Sequence, residues 1–377
     1  MIGHGQGELR SPFPRNHPAY AIATVRTACD SVAATMSDSK SSPSSLPPHA
    51  QIIQMGTAYW VSRFVYTAAN MRLADHLAGG PRSASELAAV TGANPRALHR
   101  FMRTLTSLGI LTQDTDRFAL TPLGAALKSD ATGAARATVL TMAGPTFQSA
   151  FAEFQYSLET GKTAMEKVFG MPAFDYLAQH PQEAAQFSEA MVGIHGAEPP
   201  AVAAAYDFSR LATIVDVGGA TGNMLGHILK RHSQPRGILF DRPHVVTEAP
   251  ALLRAHGVEG RVSIDHGSFF DSVPAGGDAY ILSHIIHDWN EDQCLTILGN
   301  CRKAMKPGAK LLIVEFVLPE GDTPHFGKIA DMVMLTIPGG EERTAAEYRI
   351  LLAAAGLKMT RVFPTASDVS IVEAELA

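Results

Sequence analysis

Two imidazoles and an acid stand together in His284-Ile285-Ile286-His287-Asp288-Trp289, directly after the apolar run Ala279 to Ser283 that reads as a buried strand. Groups at the carboxyl end of such a strand face the ligand crevice of an α/β fold. Removing the proton of a phenol of pKa about 10 takes a base that titrates near the working pH, and histidine is the side chain suited to that task. Two other readings compete: His284, His287 and Asp288 as metal ligands, or His287 as a structural side chain. No further ligand cluster is evident in the sequence, so no metal is expected. Glu315 lies inside the apolar strand Leu311 to Leu318, where an unpartnered carboxylate would be costly and an adjacent imidazolium would justify it. Gly339-Gly340-Glu341-Glu342-Arg343-Thr344 carries further acids on a loop that either returns to the same crevice or stays solvated.

A second constellation suits binding. The strand Ala212 to Val217 runs into Gly218-Gly219-Ala220-Thr221-Gly222 and then a helix, Asn223 to Arg231. Glycines here keep the backbone amides and the helix N-terminus open to a nucleotide-like ligand. The position two before Gly219 is Val217, so the pyrophosphate pattern G-x-G-x-x-G is incomplete. Asp216, at the strand end, suits an ammonium. The methionine part of S-adenosylmethionine carries one and no pyrophosphate, so the spacing favours that cofactor over a nicotinamide. Asp241 ends the next strand, Gly237 to Asp241, about where a ribose-binding carboxylate should fall. A third strand near Val262 to Ile264 leads into Gly267-Ser268-Phe269-Phe270, where a polar group beside an aromatic could hold adenine.

These residues need a scaffold, and from Leu211 onward the repeated order strand, turn, helix, strand predicts a parallel α/β sheet. The helix after His287 is expected to run to Met305 and stop at Lys306-Pro307-Gly308. The stretch before Leu211 is helical and rich in Phe and Met; most of these fill a core, but Phe187 and Met191, with Met334 further on, are candidates for contact with a planar substrate. Towards the N-terminus, Ser83-Ala84-Ser85-Glu86 is a capping box and Asn94-Pro95 supplies an N-cap and a proline at N1 for a second helix closing at Gly109. Ile110 to Thr112 and Phe118 to Thr121 then read as a hairpin, completing a winged helix by about residue 125. Residues 51–77 carry a wide apolar face that wants a partner. The domains expected are a disordered tail over 1–48, a winged-helix dimerisation domain over 49–145 and a catalytic domain over 146–377. Met36 has the look of a natural start, a point for N-terminal sequencing.

Across roughly residues 50–370 the chain resembles the class I small-molecule O-methyltransferases of the caffeic-acid and hydroxyneurosporene type. Asp216-Val217-Gly218-Gly219-Ala220-Thr221-Gly222, Leu239-Phe240-Asp241, His287-Asp288-Trp289, Glu315 and Pro338-Gly339-Gly340-Glu341-Glu342-Arg343-Thr344 carry the resemblance. It implies a Rossmann-like domain behind an N-terminal dimerisation domain, with one subunit closing the partner's pocket. It implies that His287 is the general base flanked by Glu315 and Glu342, that Asp241 binds the ribose, and that Ser268, Phe269 and Ser283 surround the adenine. Ser268 and Ser283 stand where the family often has Asp and Lys, and Ile337 stands where lignin-pathway members carry Asn. The acceptor implied is a small, hydroxylated, aromatic molecule. Some relatives keep the cofactor site yet hydroxylate or decarboxylate polyketide aromatics, which is the alternative enzyme reading.

The bulk properties narrow the partners. A net charge of −5 and a pI near 6.3 disfavour a coat for nucleic acid or anionic membrane. Arg96, Arg100 and Arg103 on one helix are the basis of a DNA-binding alternative; at that spacing they read as a solvated face. Three cysteines cannot form a disulfide framework, and no apolar run is long enough to span a bilayer, so a cytoplasmic enzyme is expected.

Overall fold

The computed structural model describes residues 46–377. The expected tail lies outside the described residues up to position 45, and with it the proposed start at Met36. The chain forms two compact units, one ending at Ala131 and the other spanning Thr132–Ala377.

The first unit begins with helices Pro48–Thr57, Tyr59–Asn70 and Leu73–Leu77. Strand β1 (Arg82–Ser83) leads into helix Ala84–Thr91, which opens on the capping box: the Ser83 hydroxyl accepts from the Glu86 amide at 3.2 Å, and the Ser83 amide donates to the Glu86 carboxylate at 2.6 Å. Helix Pro95–Ser107 starts at the Asn94 cap, then β2 (Leu111–Asp114) and β3 (Arg117–Leu120) form the wing, ordered β1-β3-β2. The hairpin reaches further into polar sequence than expected, because pairing extends to Asp114 opposite Arg117 and leaves a tight two-residue turn with Thr115 at φ 55°. Leu87, Met102, Leu105 and Phe118 fill the core. Part of the apolar face of 51–77 packs inward through Ala68, Leu73 and Leu77; Ile52, Met55, Tyr59 and Trp60 stay exposed, Ile52 at 67% and Trp60 at 51%.

In the second unit, seven helices from Ala135 to Ala205 precede the sheet. Helix Ala135–Met142 packs along Pro181–His195, which draws residues 132–145 into this unit. The sheet contains β4 (Thr213–Val217), β5 (Arg236–Asp241), β6 (Val262–His266), β7 (Ala279–Ser283), β8 (Lys310–Glu315), β11 (Leu357–Pro364) and β12 (Ser370–Leu376), in the order β11-β12-β8-β7-β4-β5-β6. Strands β4 to β8 are parallel; the central β4, β7 and β8 are buried on both faces and read as nearly continuous apolar runs, whereas β6 at the edge is partly exposed. β12 is antiparallel and inserts between β8 and β11. The sheet is thus mixed where sequence alone predicts a parallel one, since alternation and burial say nothing of strand direction. From β4 the chain winds one way to β5 and the other way to β7, which places a crevice at their carboxyl ends.

The apolar run Leu311 to Leu318 is not one strand. It breaks at Phe316, and the remainder, β9 (Val317–Leu318), pairs in parallel with β10 (Arg343–Thr344). That short ladder brings the loop before β10 back to the sheet's carboxyl edge. Among the described residues no helix is long and apolar enough to cross a membrane.

Replacing Ser83 with Ala removes the cap of helix Ala84–Thr91 and is expected to destabilise the first unit by about 1 kcal/mol. A lowered urea midpoint for that unit checks this; an unchanged midpoint counts against it.

Candidate active site

At the end of β4 the backbone turns three times through the left-handed region, at Gly218 (φ 72°), Ala220 (φ 48°) and Gly222 (φ 78°). A Cβ on Gly218 would lie 2.5 Å from Ile285 Cδ1, and one on Gly219 2.5 Å from both Asp216 Cγ and Leu239 Cδ1. Only glycine fits these two positions. Ala220 accepts its strained conformation with its amide donating to Asp241 Oδ2 at 3.0 Å, while Asp241 Oδ1 receives the Arg242 amide at 2.7 Å. The ribose candidate is therefore also a brace for the turn. Burial raises the Asp241 carboxyl above the usual carboxylate range.

Asp216 is fully buried, and neither carboxylate oxygen has a hydrogen-bond partner. Burial, reinforced by the charge of Asp241, pushes its pKa up to about 7. An acid left unpaired beneath a glycine cradle fits a ligand that brings a cation or a donor, which S-adenosylmethionine does through its ammonium.

Beside the turn, the Phe269 ring reaches within 3.4 Å of where a Gly218 Cβ would sit. Asn300 Nδ2 donates to the carbonyls of Phe269 (3.0 Å) and Phe270 (2.9 Å), and both rings pack against Trp289, whose other neighbour is Phe174. The Ser268 hydroxyl accepts from the Phe270 amide at 3.2 Å, so it shapes this loop. Ser283 is the last residue of β7 and is half-buried.

His287 sits in the single 3₁₀ turn Ile286–Asp288 and is buried. Its Nδ1 lies 2.7 Å from Glu342 Oε1. With the Glu342 oxygen as acceptor, Nδ1 carries a proton in either charge state of the ring, so Nε2 is the nitrogen that loses its proton when the ring becomes neutral; Asp288 Oδ1 stands 3.7 Å from it, too far for a hydrogen bond. Burial disfavours the charged ring, but Asp288, the Glu342 bond and the charge of Glu315 outweigh this and hold the imidazole up at about 10.

The two glutamates differ in what they touch. Glu315 does not bond to the imidazole: its Oε1 receives the amides of Ile285 (3.1 Å), Ile286 (2.7 Å) and His287 (3.2 Å), and its Oε2 receives the Tyr348 hydroxyl. Four donors and no acceptor face this carboxylate, the surroundings of an ionised group, although burial pushes its pKa upward. Glu315 thus holds the turn's backbone, where the resemblance implied a partner for the ring. Glu342 is delivered by the returning loop. A Cβ on Gly340 would overlap the His287 carbonyl, whose oxygen accepts from the Glu341 amide at 2.9 Å. Buried Arg343 donates to the Glu341 carbonyl at 3.0 Å, and the Glu342 amide donates to Asp331 Oδ1 at 2.9 Å. Asp331 and Tyr348 have no signal in the sequence as supports of the site, because each acts through a bond to a residue well separated along the chain.

The metal alternative set His284 beside His287 and Asp288. In the structure His284 instead turns its Nε2 to Glu198 Oε2 at 2.6 Å. Phe187, Met191 and Met334 are half-buried on helices Pro181–His195 and Phe326–Thr336. Ile337 is buried among Ala150, Met165 and Tyr176 as part of a small core.

A doubly wound sheet with a glycine turn and two acids at its carboxyl edge, beside a buried histidine, is the layout of a methyltransferase. The O-methyltransferase domain model matches residues 151–358, and the O-methyltransferase dimerisation domain model matches residues 53–130. The phenazine O-methyltransferase PhzM of Lysobacter antibioticus is 44% identical over 330 residues, covering 87% of this chain and 96% of that protein. The crystal structure of LaPhzM superposes with a TM-score of 0.84, over 88% of this chain and 100% of that one. The O-methyltransferase NcsB1 from neocarzinostatin biosynthesis, solved with S-adenosylmethionine and 2-hydroxy-5-methyl naphthoic acid, is 34% identical with a TM-score of 0.74, over 84% and 96% of the two chains. The chain belongs to the S-adenosylmethionine-dependent small-molecule O-methyltransferases.

Replacing Gly340 with Ala forces the loop off the His287 carbonyl and draws Glu342 from Nδ1. Turnover should fall about 10²-fold, with S-adenosylhomocysteine affinity by calorimetry nearly unchanged. Undiminished turnover would show that the close approach is dispensable.

Proposed function

We propose that this O-methyltransferase methylates a hydroxyl of a small aromatic molecule, with His287 as general base and without a metal. The observation that carries the reading is the 2.7 Å bond that His287 Nδ1 donates to Glu342 Oε1, which leaves Nε2 as the nitrogen able to take a proton once the ring is neutral. The aromatic acceptor is supported by relatives named for phenazine and 3-amino-4-hydroxybenzoate methylation, and by the naphthoic acid bound to NcsB1. Gly218, Gly219 and Gly222 cradle the cofactor, Asp216 meets its ammonium and Asp241 its ribose, with Ser268, Phe269 and Ser283 around the adenine. Phe187, Met191 and Met334 contact the acceptor ring. When bound, S-adenosylmethionine supplies a methyl carbon already activated by a sulfonium. His287 Nε2 takes the hydroxyl proton while the oxygen forms its bond to that carbon and the carbon–sulfur bond breaks, leaving S-adenosylhomocysteine. Most of the rate comes from alignment in a site closed to water, with the base adding about 10²–10⁴-fold.

His287→Ala should therefore lower kcat by about 10²–10⁴-fold and spare cofactor binding. A panel of hydroxybenzoates, hydroxynaphthoates and hydroxyphenazines with methyl-labelled cofactor tests the reaction itself. Label transfer with formation of S-adenosylhomocysteine excludes the hydroxylation and decarboxylation alternative, and turnover undiminished in His287→Ala would end the base assignment.

The pH dependence has a definite sign. A base held at about 10 is protonated at neutral pH, so kcat/KM for the acceptor should rise with pH along a limb above the 6.5 of an ordinary imidazole. Glu342→Gln removes a carboxylate that raises this value, and the limb should move down. A limb that stays put or moves up in that variant counts against the pairing.

We also propose that the protein works as a cytoplasmic homodimer joined through the first unit, where Ile53, Met55, Tyr59 and Trp60 are exposed apolar side chains within the dimerisation match. Light scattering should give twice the 40.2 kDa chain mass. Trp60→Glu should shift it toward the monomer, and a mass unchanged by that variant would move the interface elsewhere.

A further inference from the structure

His195, Glu198 and His284 form a cluster of titratable side chains that the proposed reaction does not use. His195 is the last residue of helix Pro181–His195, Glu198 the first of helix Glu198–Ala205, and His284 the first residue beyond β7. Each imidazole takes one oxygen of the same carboxylate: His284 Nε2 is 2.6 Å from Oε2 and His195 Nδ1 is 3.1 Å from Oε1. The two ring centres lie 3.8 Å apart with the planes tilted by 34°, and the His284 ring centre is 5.0 Å from that of His287. Glu198 is 7% exposed.

The three groups lie close enough together to suggest an ion. The spacing argues otherwise. Ligands about 2.0–2.1 Å from a tetrahedral zinc stand about 3.3 Å apart, whereas His284 and Glu198 approach to 2.6 Å. This is a hydrogen-bonded clamp. Burial alone would raise the Glu198 carboxyl, but the two imidazoles hold it down at about 2, while burial and His195 drive His284 down to about 3. A neutral His284 facing an ionised carboxylate keeps its single proton on Nε2, and its buried Nδ1 has no partner. His284 also has φ 53°, a conformation strained for a non-glycine residue that persists only where its surroundings enforce it.

We propose that Glu198 is a positioning residue for methyl transfer: through His284 it fixes the left-handed exit from β7 three residues before the base, and through His195 it ties that exit to the helix carrying Phe187 and Met191. The inference rests on the reading of His287 as the base and of this helix as a wall for the acceptor. The clamp sets the distance between wall and base, so loosening it misplaces the acceptor more than the cofactor turn, which Asp241 braces independently.

Paired isosteres on the full-length protein provide the test. The amide nitrogen of Gln reaches the place of histidine Nε2 and that of Asn only the place of Nδ1, so His284→Gln keeps the bond to Glu198 and His284→Asn loses it. With the best acceptor from the panel, Glu198→Gln and His284→Asn should lower kcat about tenfold or more and raise the acceptor KM, while His284→Gln stays near the native enzyme. S-adenosylhomocysteine affinity should be unchanged in all three. Without any acceptor, imidazole ¹⁵N spectra of histidine-labelled protein should show His284 as the Nε2–H tautomer in the native chain and as a mixture in Glu198→Gln. Native kinetics in Glu198→Gln, equal losses in both His284 variants, or a native tautomer without Glu198 would overturn the proposal. So would one zinc bound per chain and lost in Glu198→Gln. Failure of the base reading appears separately, as turnover retained by His287→Ala, and the spectra report on the clamp in either case.

Discussion

The catalytic edge of this fold hangs on one desolvated carboxylate. Glu315 closes β8 and gathers the amides of Ile285, Ile286 and His287 together with the Tyr348 hydroxyl. Those amides belong to a turn that no helix or sheet ladder satisfies in full, and a buried turn with orphaned amides would open. The acid in turn is tolerable in the interior only because four donors meet it. Each side of the arrangement supplies what the other lacks, and the outcome is a backbone held firmly enough for a single side chain, His287, to project from it with a set direction.

Around that fixed backbone the electrostatics are divided by distance. Glu342 touches the ring and selects its tautomer, Glu315 acts on the same ring through space, and Asp288 stands off Nε2 beyond bonding range. Such an arrangement raises proton affinity without covering Nε2, the nitrogen proposed to accept the proton. The loop that brings Glu342 arrives over bare backbone at Gly340 and is fastened by Arg343 and Asp331.

Much of this could be read in the residues alone, where the information is local. The capping box at Ser83, the bounds of β7 and of helix Asn223–Arg231, and the glycine turn follow from short-range chemistry, and they appear as expected. What stayed hidden depends on contacts between distant segments. An apolar run tells of burial and not of partners, so the break at Phe316 and the direction of β12 left no mark. Glu315 was legible as a buried acid needing a partner, but not as a ligand of backbone amides, which carry no sequence signature. Glu198, standing before two prolines at the start of an apolar helix, offers no hint that two distant histidines share it.

Asp216 gives the protein a dependence on its environment. A dry, unpaired acid detracts from the stability of the folded chain, and the penalty is relieved when a cationic ligand meets it; a ligand bound to the native state alone adds further stability by mass action. If the cofactor meets Asp216 as proposed, the folded chain is steadier loaded than empty, and the end of a single strand couples stability to occupancy.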